Sequence, residues 1–273
     1  MRRFIWREYM LRYCSLFSGS SGNCTYVGTA DGGLLIDAGV SARRITTALR
    51  EREIDPCSIR AVLLTHEHSD HISGLRVLCK QYGWPVVASV GTLDALVEPD
   101  KVSAEQRLYT LPQGKRLAVA GMQIIPFETP HDSRQCYGYR IDSEDGRSLA
   151  MTTDLGYMPQ SVLDAISGCQ FLHIESNHDP EMLRNGSYPY WLIQRIRGEG
   201  GHLSNQECAA VLPKLINEGA TRIVLAHLSE HNNTPDLACS CATEALSACG
   251  ATVGRDCLLS VAKPVGDSPV VYF

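Results

Sequence analysis

Six short apolar runs in this chain each end on a histidine or a carboxylate: LLID at Asp37, AVLLTH at His66, IIPFETPH at His131, LAMTTD at Asp154, FLHIE at Glu175 and IVLAH at His227. Runs of this length, rich in β-branched residues and bounded by polar ones, read as buried strands. The predicted strands are Leu34–Ile36, Ala61–Leu64, Val86–Ala88, Gln123–Ile125, Leu149–Thr152, Phe171–Ile174 and Arg222–Ala226. Helical patterns fall between many of them. Ser41 caps a helix through about Arg52, Pro159 opens one through Ile166, Ser204 with Glu207 makes a capping box ahead of Ala209–Ile216, and Pro235 starts another. Alternating strands and helices imply an α/β layered fold. Loops leaving one edge of such a sheet can bring together residues that are distant in sequence.

A chain of 273 residues, 44% hydrophobic and 20% charged, suits one large domain or two tightly fused halves, and is treated as one domain spanning 1–273. Residues 1–9, ahead of Met10, read as a possible N-terminal extension. The eleven cysteines are odd in number and scattered, without a CxxC pair, and read as reduced thiols of a cytoplasmic protein. Cys239 and Cys241 fall in a predicted helix, where positions two apart face different ways, so core packing is preferred to a shared metal. No run approaches the roughly 20 apolar residues of a membrane helix or the ~7–15 of a signal segment, so neither membrane insertion nor export is expected. The net charge of −5 does not mark a basic nucleic-acid-binding domain. A phosphate substrate would need a local basic groove or metal ions to neutralise it.

The densest chemistry is Thr65-His66-Glu67-His68-Ser69-Asp70-His71, three imidazoles and an aspartate directly after a predicted strand. One reading is a solvated loop whose Asp caps a helix beginning near Ile72. The reading with more chemical content is a metal site: His66 and His68, two apart, can address one cation while Asp70 and His71 face a second. This HxHxDH resembles the hallmark of the metallo-β-lactamase superfamily. The resemblance implies a four-layered αβ/βα sandwich and hydrolysis assisted by two divalent ions, Zn²⁺ or Mn²⁺. It implies that His66, His68 and His131 bind the first ion, that Asp70, His71 and His227 bind the second, and that Asp154 bridges them. Asp70 would also orient the nucleophile. Asp37 would orient the ligand loop through hydrogen bonds; its alternative is a turn residue before Gly39.

The superfamily hydrolyses lactams, lactones, thioesters and phosphodiesters, so the ligand set leaves the substrate open. Narrower matches come from SLFSGSSGN at Ser15–Asn23, IESNHD at Ile174–Asp179, Tyr188–Pro189, GHLSN at Gly201–Asn205 and HLSEHNN at His227–Asn233. Together they resemble the bacterial WalJ (YycJ) family over roughly Leu11 to Asn233. That resemblance implies a 5′-to-3′ exonuclease acting on duplex DNA, with a role in DNA repair. The alternative is a hydrolase of a small cyclic or nucleotide phosphodiester, or more remotely of a thioester or lactone. A non-catalytic scaffold is disfavoured, because every expected ligand type is present.

Several residues are expected at the substrate. His202 would donate a proton or hydrogen bond to the phosphate or leaving oxygen, unless it merely precedes the Ser204 cap. Ser18, Ser20 and Asn23 lie in a loop that could cradle a phosphate or form an ordinary turn. Asn177 and Asn205 are read as substrate-binding, and Glu175, Asn177, His178 and Asp179, all in IESNHD, either line the substrate groove or brace the metal ligands. YWLIQRIR sets Arg195 and Arg197 beside Tyr190 and Trp191: it is either a helix that holds a nucleic-acid backbone or an amphipathic packing helix.

Overall fold

The computed structural model describes residues 10–97, 106–265 and 268–273; the possible extension at 1–9 lies outside the described residues. The chain divides into two compact units, the first of residues 1–126, 133–147 and 263–273, the second of 127–132 and 148–262.

The first unit is built on seven strands: β1 (Arg12–Phe17), β2 (Cys24–Thr29), β3 (Gly32–Ile36), β4 (Ile59–Leu63), β5 (Val86–Ala88), β6 (Leu108–Thr110) and β14 (Val271–Tyr272). They lie in the order β14-β1-β2-β3-β4-β5-β6. Pairing is antiparallel from β14 to β3 and parallel from β3 to β6. The helices are α1 (Ala42–Glu51), α2 (Ser69–Ile72), α3 (Leu75–Tyr82) and α4 (Val90–Val97). Ser41 caps α1 as expected, its side chain accepting from the Arg44 N–H. Leu35, Ile45, Leu49, Val62, Leu64, Leu75 and Leu78 belong to one apolar core. A hairpin of β7 (Leu117–Val119) and β8 (Met122–Glu128), followed by β9 (Tyr137–Ser143), completes the unit's strands.

The second unit holds four parallel strands in the order β13-β12-β11-β10: β10 (Ser148–Thr152), β11 (Phe171–Glu175), β12 (Arg222–Ala226) and β13 (Leu258–Val261). Every residue of β10 and β11 is buried, the pattern of strands covered on both faces. Its helices are α5 (Gln160–Ile166), α6 (Pro180–Asn185), α7 (Tyr190–Arg197), α8 (Asn205–Asn217) and α9 (Pro235–Ala248). The Ser204–Glu207 capping box forms, and α8 starts at Asn205, ahead of the predicted Ala209. On α9 the buried face is Ala238, Ala242 and Leu246. Cys239 and Cys241 are only half-buried beside it, which corrects their reading as core residues.

The predicted strands fall within or one residue beyond β3, β4, β5, β8, β10, β11 and β12. Strands β1, β2, β6, β7, β9, β13 and β14 carried no prediction. Several of these are short or part-exposed, such as β6, β13 and β14, and their sequences lack a continuous apolar run.

Candidate metal centre

In the first unit the chemistry gathers at the ends of β3 and β4. Asp37 follows β3 in the left-handed region, φ 62°, a conformation that costs an aspartate about 1 kcal/mol or more. The backbone turn buries its carboxylate completely. Oδ1 accepts the Thr65 N–H at 2.8 Å, and the Thr65 hydroxyl lies within 3.1 Å of both carboxylate oxygens. Oδ2 lies 2.8 Å from His71 Nδ1. That bond selects the tautomer with Nδ1–H and leaves Nε2 as the ligand-type lone pair.

His66 and His71 are fully buried. Their rings are 4.1 Å apart, and those of His66 and His68 are 4.5 Å apart. Asp70 does not cap a helix starting near Ile72. The helix is α2 itself, it contains Asp70 and His71, and His68 sits at its N-cap without a side-chain capping bond.

The loop at Ser18–Asn23 braces this turn. The Asn23 N–H donates to the Asp70 carbonyl at 2.8 Å, and the Asn23 carbonyl accepts from Gly39 at 2.7 Å. Gly39 has no room for a side chain: a Cβ there would lie 1.6 Å from the Asp70 carbonyl oxygen. Asn23 Oδ1 accepts the Gly19 N–H at 2.9 Å, and its Nδ2 lies 3.1 Å from His71 Nε2. Ser18 is buried and Ser20 is exposed.

In the second unit the organising group is Glu175, at the end of β11 and fully buried. Oε1 lies 2.9 Å from His202 Nδ1 and 2.8 Å from His227 Nδ1. Oε2 accepts the Leu155 and Leu203 N–H groups at 3.0 and 3.1 Å. Burial by itself would raise the pKa of this carboxyl, but the two imidazoles, His202 foremost, hold it well below the ordinary carboxylate range. Asp154 follows β10 at φ 59° and His227 follows β12 at φ 56°, both left-handed. With Asp37 they make three of the five such non-glycine residues among the described residues, which is how strain collects at functional sites.

Asp154, Glu175, His202 and His227 offer ligand atoms that all lie within 4.8 Å of one another. His131 Nδ1 lies 3.1 Å from the Gly201 carbonyl, and burial lowers its pKa, favouring the neutral, ligand-type imidazole. Buried imidazoles fixed at Nδ1, together with carboxylates, form a nitrogen–oxygen donor set that suits a divalent transition metal.

The model of the β-lactamase superfamily domain matches residues 33–228. Exodeoxyribonuclease WalJ of Streptococcus pneumoniae is 37% identical over 234 residues, 85% of this chain and 86% of that protein. Exodeoxyribonuclease YycJ of Bacillus anthracis is 34% identical over 245 residues, 90% and 92% of the two chains. The chain belongs to the WalJ/YycJ family of the metallo-β-lactamase superfamily. The crystal structure of Zn²⁺-bound PqqB from Methylobacterium extorquens matches with a TM-score of 0.70 at 20% identity, covering 95% of this chain and 99% of that one. The metallo-β-lactamase fold protein YhfI from Bacillus subtilis matches with a TM-score of 0.69 at 18% identity, covering 97% of this chain and 100% of that one, which places the WalJ/YycJ chain in the metallo-β-lactamase fold, the α/β class read from its sequence.

Two family-motif residues have placements that the sequence did not disclose. Asn177 and Asn205, expected at substrate, are 5% and 2% exposed. Asn177 Nδ2 donates to the His227 carbonyl at 2.8 Å, and Asn205 exchanges two 2.9 Å bonds with Asn233 and accepts from the Ser176 hydroxyl at 2.6 Å. They tie together the loops that carry Glu175 and His227. Of the two readings of Glu175, groove-lining or bracing the ligands, its bond to His227 is of the bracing kind. The signal for its larger part was its place in the series of apolar runs ending on a His or an acid.

Proposed function

We propose that this protein is a divalent-metal-dependent exodeoxyribonuclease that degrades duplex DNA from a 5′ end, in the cytoplasm and in the service of DNA repair. The observation that carries the reading is the buried Glu175 carboxylate gripping His202 and His227 by Nδ1, in a chain alike over most of its length to proteins named exodeoxyribonucleases. His66, His68, Asp70, His71, His131, Asp154 and His227 would hold two ions, Zn²⁺ or Mn²⁺. Such ions, when bound, supply a hydroxide nucleophile near neutral pH and neutralise charge on the phosphoryl oxygens.

The chain's own residues do the rest. Asp37 keeps His71 in one tautomer, and Glu175 does the same for His202 and His227. His202, the more exposed of the two, turns Nε2 away from Glu175 and donates a proton or hydrogen bond to the phosphate or the leaving oxygen.

The test is degradation of duplex DNA labelled at either end by metal-stripped protein to which Mn²⁺ or Zn²⁺ is returned, beside His68→Ala and Asp70→Ala. Metal-dependent loss of the 5′ label, abolished in both variants, is expected. Intact DNA under every metal, with small phosphodiesters cleaved, would replace this reading with a small-substrate hydrolase.

A further inference from the structure

Helix α7 has no part in the chemistry above and does not behave as a packing helix. None of its eight residues is buried, and Tyr190 and Trp191 are 76% and 66% exposed. Leu192, Ile193 and Ile196 are half-buried, whereas Tyr190, Trp191, Gln194, Arg195 and Arg197 are exposed. Helical spacing sets Tyr190, Gln194 and Arg197 along one stripe and Trp191 and Arg195 beside it. The helix carries two arginines and no acid.

Its C-terminal end is fastened to the loop that delivers His202. Arg195 Nε donates to Asp132 Oδ2 at 2.6 Å, the Asp132 N–H donates to the Gly200 carbonyl at 3.0 Å, and the His202 N–H donates to the Ile196 carbonyl at 2.9 Å. There His178, Pro180, Arg197, His202, Ser204 and Glu207 line a cavity of about 280 Å³, the Glu207 carboxylate accepting the Ser204 N–H and hydroxyl. His178 is 3% exposed, and its Nδ1 has no hydrogen-bond partner among the described residues. Burial lowers its pKa to about 4, so it meets a ligand as a neutral imidazole.

We propose that α7 and this cavity form the track for the DNA strand being degraded: Tyr190 and Trp191 stack on its bases, Arg197 pairs a backbone phosphate, and the cavity beside His202 receives the terminal nucleotide. This rests on the exodeoxyribonuclease reading and adds where the strand runs. A helical rise of 1.5 Å per residue puts Trp191 about 9 Å along the axis from Arg197, on the order of three 3.4 Å steps of a DNA strand. Exposed aromatic and arginine side chains also make protein-binding hot spots. Continuity of the stripe with the cavity at His202, and the Arg197 guanidinium where the two meet, favour a polyphosphate strand.

Binding of a cleavage-resistant phosphorothioate duplex to the metal-loaded full-length protein tests this. Two signals are read, anisotropy of a labelled strand and intrinsic tryptophan fluorescence. The chain has three tryptophans, Trp6, Trp84 and Trp191, and Trp84 is buried. DNA should quench the fluorescence of the wild type, and most of the quench should vanish in Trp191→Phe. The double variant Tyr190→Ala with Trp191→Ala should bind about thirtyfold more weakly or worse. Arg197→Gln should lower the slope of log affinity against log salt by about 1. Alanine is the better helix former and these side chains are exposed, so the melting temperature should hold. If the wild type degrades DNA and the variants bind it with unchanged affinity, quench and salt slope, the track is overturned and the nuclease reading stands. A wild type that degrades no DNA under any metal removes both. Altered self-association with unaltered DNA affinity would assign α7 to a protein contact instead and overturn the track.

Discussion

Asp37 and Glu175 perform the same task in the two units by opposite means. Asp37 has a short side chain on a left-handed residue, and its partners, Thr65 and His71, come from one stretch of seven residues. Glu175, one methylene longer and the last residue of its strand, gathers His202 and His227 from 27 and 52 positions away and takes two backbone N–H groups as well. The first hub joins the end of β3 to a single loop 28 to 34 positions further on, at a strained residue and beside the close approach of Gly39. The second is a junction of three loops held by charge-assisted hydrogen bonds. Damage at Asp37 should therefore stay near one ligand loop, whereas damage at Glu175 should spread through its unit.

Substitution at Glu175 should produce the largest effect. Glu175→Ala removes the acceptor of two imidazoles and two backbone donors in a fully buried place. Loss of one member of such a buried group costs about 3 kcal/mol or more, read as a fall in the urea midpoint of metal-free protein, together with loss of nuclease activity. Asp37→Asn keeps the shape and one acceptor oxygen, so its stability loss should be clearly smaller. Its metal affinity, measured by competition with a chelator, should fall about 10–100-fold. Equal destabilisation by the two variants would break the contrast between a hub that serves one loop and a hub that joins three.

Two glycines sharpen the strain half of the comparison. Gly39→Ala drives a Cβ into the Asp70 carbonyl and should cost about 2 kcal/mol or more, in the range of overpacking, with disturbed metal binding. Gly146→Ala, at φ +85° with nothing within 4 Å of the added Cβ, should cost only about 1 kcal/mol and leave metal affinity alone. Similar chelator titrations for the two would show that the Gly39 contact does not set the ligand loop.

The last contrast concerns acid. In the second unit burial holds His173 at a pKa of about 3 and His178 at about 4, so both stay neutral in the folded state where the unfolded chain protonates near 6.5. The unfolded state binds more protons between these values, so stability rises with pH there and is lost as pH falls below about 6.5. Each histidine contributes up to about 1.4 kcal/mol per pH unit. The urea midpoint of metal-free protein should fall between pH 7 and pH 5, and less steeply in His173→Leu. An identical slope in that variant would place the acid sensitivity elsewhere.

The layered α/β class and the HxHxDH cluster were legible because both are local: apolar runs set strands, and the cluster puts its donors on one turn. The helix caps at Ser41 and Ser204 were legible for the same reason, since a cap is satisfied within three or four residues. The hydrogen bonds of Asn177 and Asn205 were not legible, because an asparagine in a polar motif looks the same whether it faces a substrate or closes loops against His227 and Asn233. The helix at Tyr190–Arg197 was ambiguous because its pattern fits a packed or an open face, and only the burial of its side chains separates the two.

By itself, the sequence determined the donors: which histidines and acids exist, and that short buried strands end on them. Tertiary structure decided their rank. It made Glu175 a hub, gave Asp37, Asp154 and His227 their left-handed backbone, buried the asparagines and left Tyr190 and Trp191 in water. The reason is physical. Strand and cap signals depend on neighbours within a few residues, whereas a carboxylate that grips imidazoles 27 and 52 positions away depends on how the intervening elements pack.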